Sequence, residues 1–423
     1  MGRPWRDHPS WDVVQDASDL AGRDIEHLLV NATAEELTET RNAQLATFVM
    51  GLVVLDAVER LGIEPTACAG HSVGEYTALV AAGAVGFDDA VRLVTERGEA
   101  MQEAAEENPG VMLALDGIDD EVARIACRRA DGDVWMANSN APAECVIAGR
   151  REDAYRAAEI AVELGATRVR ELKVSGAFHT SLMTPAQPRL RKAIDVTTFH
   201  PLAMPVVANV DALPHDAAGE WPSLMSAQLR SPVRWRQTVL SLAAMLRTGE
   251  WDGDNLFCEL GPGGPLSAMI RATVPEAVTV AIAVPDDLDT LVGTLTGESA
   301  PGVGGMEGHQ GERLYVSERL VISPCAGIFE LPTATPGDPA EPVPASGPAA
   351  AAAATAAPEA AAQAGSGEPR AGEPGTPVEI GDLLGLVSGT EVRSPFAGHL
   401  MGLLAHPGER VQAGQPVAWL RSL

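Results

Sequence analysis

One serine lies between two glycines in Gly70-His71-Ser72-Val73-Gly74, the spacing of a nucleophile elbow. In such an elbow a tight strand-to-helix turn lifts the serine hydroxyl into the open, and the glycines let backbone approach where a Cβ would clash. Residues 67–70 read as the strand leading in, and Glu75–Ala82 as the helix leading out. Ser72 then falls at a helix N-terminus, where free N–H groups and the helix dipole favour developing negative charge. The Val73 N–H is the natural donor to an oxyanion there. A serine needs a base, and His179 is the candidate, following the strand-like run Arg168–Val174. No aspartate stands at an obvious third position, but any acceptor, a main-chain carbonyl included, can hold the imidazole tautomer. The chemistry on offer is covalent acyl transfer or hydrolysis. Taken singly, the serine also fits a plain turn and the histidine a structural hydrogen-bonder.

The elements that must position these groups follow from periodicity. Short apolar runs such as Val111–Leu115 and Met204–Val207 alternate with helical patterns such as Asp88–Ala104 and Arg151–Leu164. Residues 1–297 therefore read as one α/β unit. The 423-residue chain carries a formal charge of −28 and no basic stripe, which argues against nucleic acid as a partner. The best apolar runs, Ala46–Leu55 and Ala78–Phe87, are about half the ~18 residues a membrane span requires, so no membrane is expected. The first residues lack the apolar core of a signal peptide. Five scattered cysteines without metal-ligand pairing fit a reduced, cytoplasmic protein with no metal.

Beyond residue 297 the composition changes. Residues 298–311 are Gly-rich and read as a linker. Ser323-Pro324-Cys325-Ala326-Gly327 recurs as Ser394-Pro395-Phe396-Ala397-Gly398, and Val378-x-x-Gly381 recurs as Val411-x-x-Gly414. The two motifs lie further apart in the first copy, by about the length of an Ala/Pro-rich stretch at 332–377. The simplest reading of 312–423 is a small all-β domain of two similar halves, with a disordered insert in a loop of the first.

Several motifs in order carry a family resemblance. Gly70-His71-Ser72-Val73-Gly74-Glu75-Tyr76 is followed by Asp89-Ala90-Val91-Arg92-Leu93-Val94 with Arg97-Gly98 and by Asn138-Ser139-Asn140-Ala141-Pro142. Then come Asn209-Val210-Asp211, Gln228-Leu229-Arg230-Ser231-Pro232-Val233 and Glu259-Leu260-Gly261-Pro262-Gly263. Over about residues 20–290 the chain resembles the malonyl-CoA:acyl carrier protein acyltransferase family. The resemblance implies a parallel-sheet α/β-hydrolase-like core with a ferredoxin-like subdomain inserted at about 108–173. It implies Ser72 as the acylated nucleophile, His179 as base, and the main-chain carbonyl of Gln228 as the group holding the imidazole. Arg97 matches the carboxylate clamp, a role suited to a planar guanidinium that meets a carboxylate with two parallel hydrogen bonds. Gln44 and Asn138 match substrate-pocket positions. Phe178, in Gly176-Ala177-Phe178-His179, resembles the malonyl-selective variant and would fill the space an α-methyl branch needs. The implied reaction is ping-pong transfer from malonyl-CoA to the phosphopantetheine thiol of an acyl carrier protein, for fatty acid or polyketide assembly.

Three departures qualify the resemblance. The family's Pro-Gly-Gln-Gly-Ser-Gln loop is absent from Met1–Asp19, so the native protein is expected to start upstream or this form to be impaired. Glu144 stands where the family usually has glutamine and would repel a malonyl carboxylate if it pointed inward. The C-terminal domain resembles a biotinyl or lipoyl carrier domain, yet the turn Val387-Ser388-Gly389-Thr390-Glu391 has no lysine. Lys173 and Lys192 are the only lysines in the chain. No covalently bound cofactor is therefore expected, and the domain reads as a docking module for a carboxylase or synthase component. The alternative to an active transferase is a catalytically impaired acyltransferase-like scaffold kept for that docking; a serine hydrolase is less favoured, given Arg97.

Overall fold

The computed structural model describes residues 1–248, 256–297, 318–322, 327–331, 376–378, 382–394, 398–403, 405, 410–411 and 416–421. The chain divides into two compact units, residues 1–308 and 309–423. The expected linker at 298–311, residues 332–375 of the Ala/Pro insert, and Ser323–Ala326 and Pro395–Ala397 of the repeat lie outside the described residues.

The first unit opens with helices α1 (Asp12–Ala21) and α2 (Ile25–Val30), then the long α3 (Thr40–Glu59). Before α1, Trp5 is fully buried and its indole N–H donates to the Ala283 carbonyl at 2.9 Å. Helix α3 buries Leu45, Phe48, Val49, Leu52 and Val53, as a helix apolar around most of its circumference must. Counting only the run Ala46–Leu55 missed its extent. The helix has 20 residues and is apolar enough to cross a membrane, but 78% of its most apolar window is buried inside the unit.

Strand β1 (Cys68–Ala69) leads through the serine turn into α4 (Gly74–Ala81), followed by α5 (Phe87–Glu107). The subdomain comes next, as β2 (Val111–Asp116), α6 (Asp120–Ala130), β3 (Val134–Ala141), β4 (Glu144–Gly149), α7 (Arg151–Glu163) and β5 (Arg168–Glu171). Its four strands form an antiparallel sheet in the order β3-β4-β2-β5, the split βαβ arrangement of ferredoxin-like folds. Period-2 alternation gives β2 two buried faces: Leu113 and Leu115 pack under the helices, while Met112 and Ala114 pack with Ala177 and Leu182.

The unit closes with α8 (Gln187–Val196), β6 (Val206–Val207), β7 (Pro214–His215), α9 (Trp221–Gln228), α10 (Trp235–Thr248), β8 (Leu256–Leu260), α11 (Pro265–Thr273), β9 (Val278–Ile282) and α12 (Asp287–Thr296). The parallel pairs stand in two separate sheets. β1 pairs with β6, which pairs antiparallel with β7, and β8 pairs with β9. Between β1 and β8 lies a cavity of about 770 Å³ walled by both strands, by Gly51 and Leu55 of α3 and by Leu291 of α12. Among the described residues no strand bridges it, so the single parallel sheet implied by the resemblance is here divided in two.

The second unit is all-β. Strands β10 (Glu318–Ile322), β11 (Gly327–Glu330), β12 (Pro377–Val378), β13 (Leu383–Val387), β14 (Thr390–Arg393), β15 (Gly398–Leu403), β16 (Arg410–Val411) and β17 (Pro416–Arg421) form two sheets. Their orders are β10-β17-β15-β12 and β14-β13-β11-β16. Exchanging the first four strands with the last four maps one sheet onto the other, so the sequence repeat is a pseudo-twofold of pairing. Phe329, Leu384, Val387, Val392, Leu400 and Val417 form the core. The β13–β14 hairpin turns at Ser388-Gly389, with φ of 47° and 83°, the left-handed pair that matches strand twist in a two-residue loop.

Candidate active site

The elbow is built by steric exclusion. A Cβ on Gly70 would sit 1.9 Å from the carbonyl carbon and oxygen of Gly74, so only glycine lets the turn close. Ser72 takes φ of 54°, a strained value for a side chain with a Cβ. That strain is held by neighbours. The Ser72 N–H donates to Asn209 Oδ1 at 2.8 Å, and Asn209 Nδ2 donates to the Gly70 carbonyl at 2.6 Å. Asn209 follows β6, the parallel partner of β1, so sheet pairing delivers the clamp to the elbow. The Val73 N–H has no acceptor among the described residues, leaving it free at the start of α4.

His179 also has a left-handed φ, 60°, and is almost fully buried. Thr180 steadies it by donating to the Ala177 carbonyl at 2.6 Å and accepting from the Leu182 N–H at 3.2 Å. The imidazole spans two partners: Nε2 lies 2.8 Å from Ser72 Oγ, and Nδ1 lies 3.0 Å from the Gln228 carbonyl oxygen. A carbonyl only accepts, so the proton sits on Nδ1 and Nε2 presents its lone pair to the serine hydroxyl. Burial, and then the Arg97 charge, push the His179 pKa down to about 3. The ring is therefore neutral and able to take a proton at neutral pH.

Arg97, on α5, is 1% exposed, so its charge is held inside the unit rather than solvated at the helix surface. Its Nη2 donates to Ser72 Oγ at 3.1 Å and to Gln228 Oε1 at 2.9 Å, and Nη1 donates to Gln44 Oε1 on α3. The guanidinium carbon stands 5.3 Å from the Tyr76 ring centroid, a cation–π contact that offsets part of its desolvation. A cation beside a nucleophilic oxygen, with a neutral base on the other side, suits an acyl group that ends in an anion.

The cluster contains three groups to which the sequence reading assigned no role. The Gln228 side chain, not only its carbonyl, takes part: Nε2 donates to the Ser72 carbonyl at 2.9 Å and to Glu75 Oε2 at 2.6 Å. Glu75 is fully buried, and its Oε1 accepts from the Asn209 N–H at 2.6 Å. Burial raises its pKa to about 7, against the lowering by the Asn209 N–H, Arg97 and the Gln228 amide. Glu75 and Asn209 both stood within recognisable motifs, which was the only available signal.

Asn138 is not brought to this cluster. It bridges Val233 through its main chain, and its buried Oδ1 has no hydrogen-bond partner among the described residues. Asn140, two residues on, reaches the elbow instead, with Oδ1 accepting from His71 Nε2 at 3.1 Å. Glu144 accepts from Asn140 Nδ2 at 3.2 Å and so sits one side chain further from His71. Phe178 is half-buried, packed against the cores of both the main body and the subdomain, with its ring against Gly176. The cavity between β1 and β8 touches the back of the elbow at His71 and Val73, but Ser72, Arg97 and His179 do not line it. Among the described residues no group of three or more His, Cys, Asp or Glu is arranged to hold a metal ion.

Comparison with known proteins agrees with this geometry. Residues 11–296 match the acyl transferase domain family. The chain is 36% identical over 290 residues to the malonyl CoA-acyl carrier protein transacylase of Bacillus subtilis strain 168, covering 68% of this chain and 89% of that protein. It is 36% identical over 277 residues to the Escherichia coli K12 protein of the same name, covering 65% and 87%. Among solved structures, MCAT from Streptococcus pneumoniae superposes with a TM-score of 0.64 at 34% identity, covering 70% of this chain and 95% of that one. A malonyl-transacylase solved in complex with its type II PKS acyl-carrier protein gives 0.63 at 32%, covering 68% and 91%.

Proposed function

The chain belongs to the acyl transferase family, and we propose that it carries a malonyl group from malonyl-CoA to the phosphopantetheine thiol of an acyl carrier protein, for fatty acid or polyketide assembly. The observation that carries this reading is the placement of Ser72 Oγ, 2.8 Å from His179 Nε2 and 3.1 Å from Arg97 Nη2. In the first half-reaction Ser72 Oγ attacks the thioester carbonyl while its proton passes to His179 Nε2. The Gln228 carbonyl steadies the imidazolium through Nδ1–H. Negative charge on the carbonyl oxygen falls to the free Val73 N–H and the start of α4. Collapse breaks the C–S bond, and the coenzyme A sulfur leaves with the proton from His179. In the second half the carrier thiol gives its proton to His179, attacks the malonyl-serine ester and restores the Ser72 hydroxyl.

Arg97 supplies selectivity for an acid-terminated acyl group. The malonyl carboxylate lies two carbons beyond the ester carbon, within reach of the same guanidinium that touches Ser72 Oγ. Gln44 and Gln228 hold that guanidinium from two further sides. Phe178 restricts the space beside His179 for a branched acyl group, a preference of about 1–3 kcal/mol per methyl. Intact-mass measurement after mixing the chain with malonyl-CoA tests the reading. A malonyl adduct absent from Ser72→Ala and discharged by holo carrier protein supports it; an adduct retained in Ser72→Ala refutes it.

The second unit we read as a biotinyl/lipoyl-like fold retired from cofactor carriage. The paired halves and pseudo-twofold sheets support the likeness, while the hairpin tip is Ser388-Gly389 and no lysine follows Lys192. With no amine for amide attachment, docking to a carboxylase or synthase component is the function it retains. Equal recovery of partners by the full chain and by a chain lacking 312–423 would count against docking. The free thiols of Cys68, Cys127, Cys145 and Cys258 fit residence in the reducing cytoplasm.

A further inference from the structure

Building on the transfer reading above, we propose that Glu75 is a positioning residue: one carboxylate oxygen fixes the orientation of the Gln228 side-chain amide while the other holds the Asn209 main chain, and that amide aims Arg97 at the acyl carboxylate. Glu75 touches no reacting atom. Among the described buried acids of this unit it is the one whose two oxygens both meet donors that have a second task. Oε1 accepts from the Asn209 N–H, whose side chain holds the Ser72 N–H. Oε2 accepts from Gln228 Nε2, whose amide oxygen accepts from Arg97 Nη2.

The logic is one of donors and acceptors. An amide donates on one side and accepts on the other. With Glu75 Oε2 at 2.6 Å and the Ser72 carbonyl at 2.9 Å, the Gln228 NH₂ faces two acceptors. Its oxygen is thereby turned to Arg97, at 2.9 Å. Reversing the amide would set oxygen against two oxygens and NH₂ against a guanidinium. A glutamine at position 75 cannot maintain this arrangement, since one of its two polar atoms must face a donor with a donor. A protonated Glu75 keeps a lone pair on its hydroxyl oxygen but turns a weaker acceptor and a proton toward one of these donors, which loosens that contact. Burying an ionised carboxylate is costly, and an uncharged residue here would be cheaper unless both acceptors were needed.

The charged and titratable groups facing Glu75 are Arg97 on α5, which favours its ionisation, and Asp211 after β6, which opposes it. Tyr76 on its own helix is held neutral, with its pKa near 12, and His179 is neutral above about pH 3. With the Glu75 pKa near 7, wild-type malonyl transfer should decline as pH falls from 8 to 5.5, while His179 stays deprotonated.

The test compares malonyl-enzyme and acetyl-enzyme formation by intact mass for the full chain, for Glu75→Gln and for the exchanged pair Glu75→Gln with Gln228→Glu. Glu75→Gln should lose roughly tenfold to a hundredfold in malonyl transfer, the effect of one charge-assisted hydrogen bond, and markedly less in acetyl transfer. Its pH profile should be flat between 5.5 and 8, with the wild type converging on it at low pH. The exchanged pair restores an acceptor to Arg97, though it sets a carboxylate oxygen against the Ser72 carbonyl, and should regain part of the malonyl-over-acetyl preference. An unchanged preference in Glu75→Gln, or none regained by the exchanged pair, overturns the proposal. If Glu75→Gln does not fold, a wild-type rate that stays flat from pH 8 to 5.5 overturns it alone. A wild type that takes no malonyl group sinks the transfer reading as well; one that is acylated while these ratios stay fixed sinks only the role of Glu75.

Discussion

Removing the Arg97 fork separates recognition of the acyl carboxylate from the acylation chemistry. In the free chain the guanidinium is 1% exposed and divides its donors among Gln44, Gln228 and Ser72 Oγ. When Ser72 carries malonate, two donors turn to the carboxylate, each charge-assisted bond worth about 1.5–3 kcal/mol. Losing both in Arg97→Ala costs about 3–6 kcal/mol, roughly two to four orders of magnitude in the rate of malonyl-enzyme formation. Acetyl-CoA offers no carboxylate, and its transfer loses only the single bond from Nη2 to Ser72 Oγ, about tenfold. Because alanine also leaves the buried Glu75 without a counter-charge, Arg97→Lys serves as the companion. It keeps the charge as a point without the fork and should fall between the two. Single-turnover acylation, followed by intact mass with malonyl-CoA and acetyl-CoA in parallel, reads the ratio directly. If both acyl groups slow by the same factor in Arg97→Ala, the guanidinium does not hold the carboxylate and the reasoning fails.

Three further outcomes follow from the same geometry. Asn209→Ala leaves the Ser72 N–H and the buried Gly70 carbonyl unpaired in a half-buried turn; at about 1–3 kcal/mol each where water is excluded, it should lower the urea midpoint and slow acylation, and an unchanged midpoint would refute the clamp. Gly70→Ala places a Cβ against the Gly74 carbonyl, so the elbow must open; we expect no malonyl adduct even from folded protein, and wild-type acylation would show the steric argument to be wrong. For stability against pH, the unfolded chain takes a proton at His179 near pH 6.5 that the folded chain refuses until about 3, so this group lowers stability as pH falls through that window. Glu75 acts in the opposite sense, since the folded chain takes up its proton near 7 and the unfolded chain near 4.5. In Glu75→Gln the opposing contribution is gone, and stability relative to wild type should fall from pH 7 to 4.5; parallel urea profiles would refute the shift.

What could be read from the sequence was whatever local sterics dictate. Gly70 is legible because no other residue lets that turn close, whereas a Cβ on Gly74 would meet open space, so the expected clash holds at only one of the two glycines. The inserted sheet is legible because β2 alternates Leu113 and Leu115 with Met112 and Ala114, and both sets are buried. The two halves of the second unit are legible because each turn repeats its own residues, and the pairing order of the strands follows the same exchange. Spacing carries no information about which strand edges meet across the chain. The division of the parallel strands between two sheets and the seating of Trp5 on the Ala283 carbonyl, 278 residues away, were therefore invisible.

The site shows the same boundary at finer scale. Asn138 and Asn140 share one face of β3 by period, so alternation alone cannot say which one reaches the elbow. The register shifts of β3 against β4, between Met136 and Asn138 and again between Ser139 and Ala141, leave Asn140 against His71 and Asn138 against Val233. Gln228 was legible only as a carbonyl because a resemblance transfers a role, whereas the second role of its amide depends on three chain segments converging. Glu75 is the sharpest case. An acid in the first turn of α4 reads as a helix-dipole residue facing solvent, worth a few tenths of a kcal/mol. Its burial beneath Asn209, Gln228 and Arg97 gives the same carboxylate a different task, and only the fold can tell the two apart.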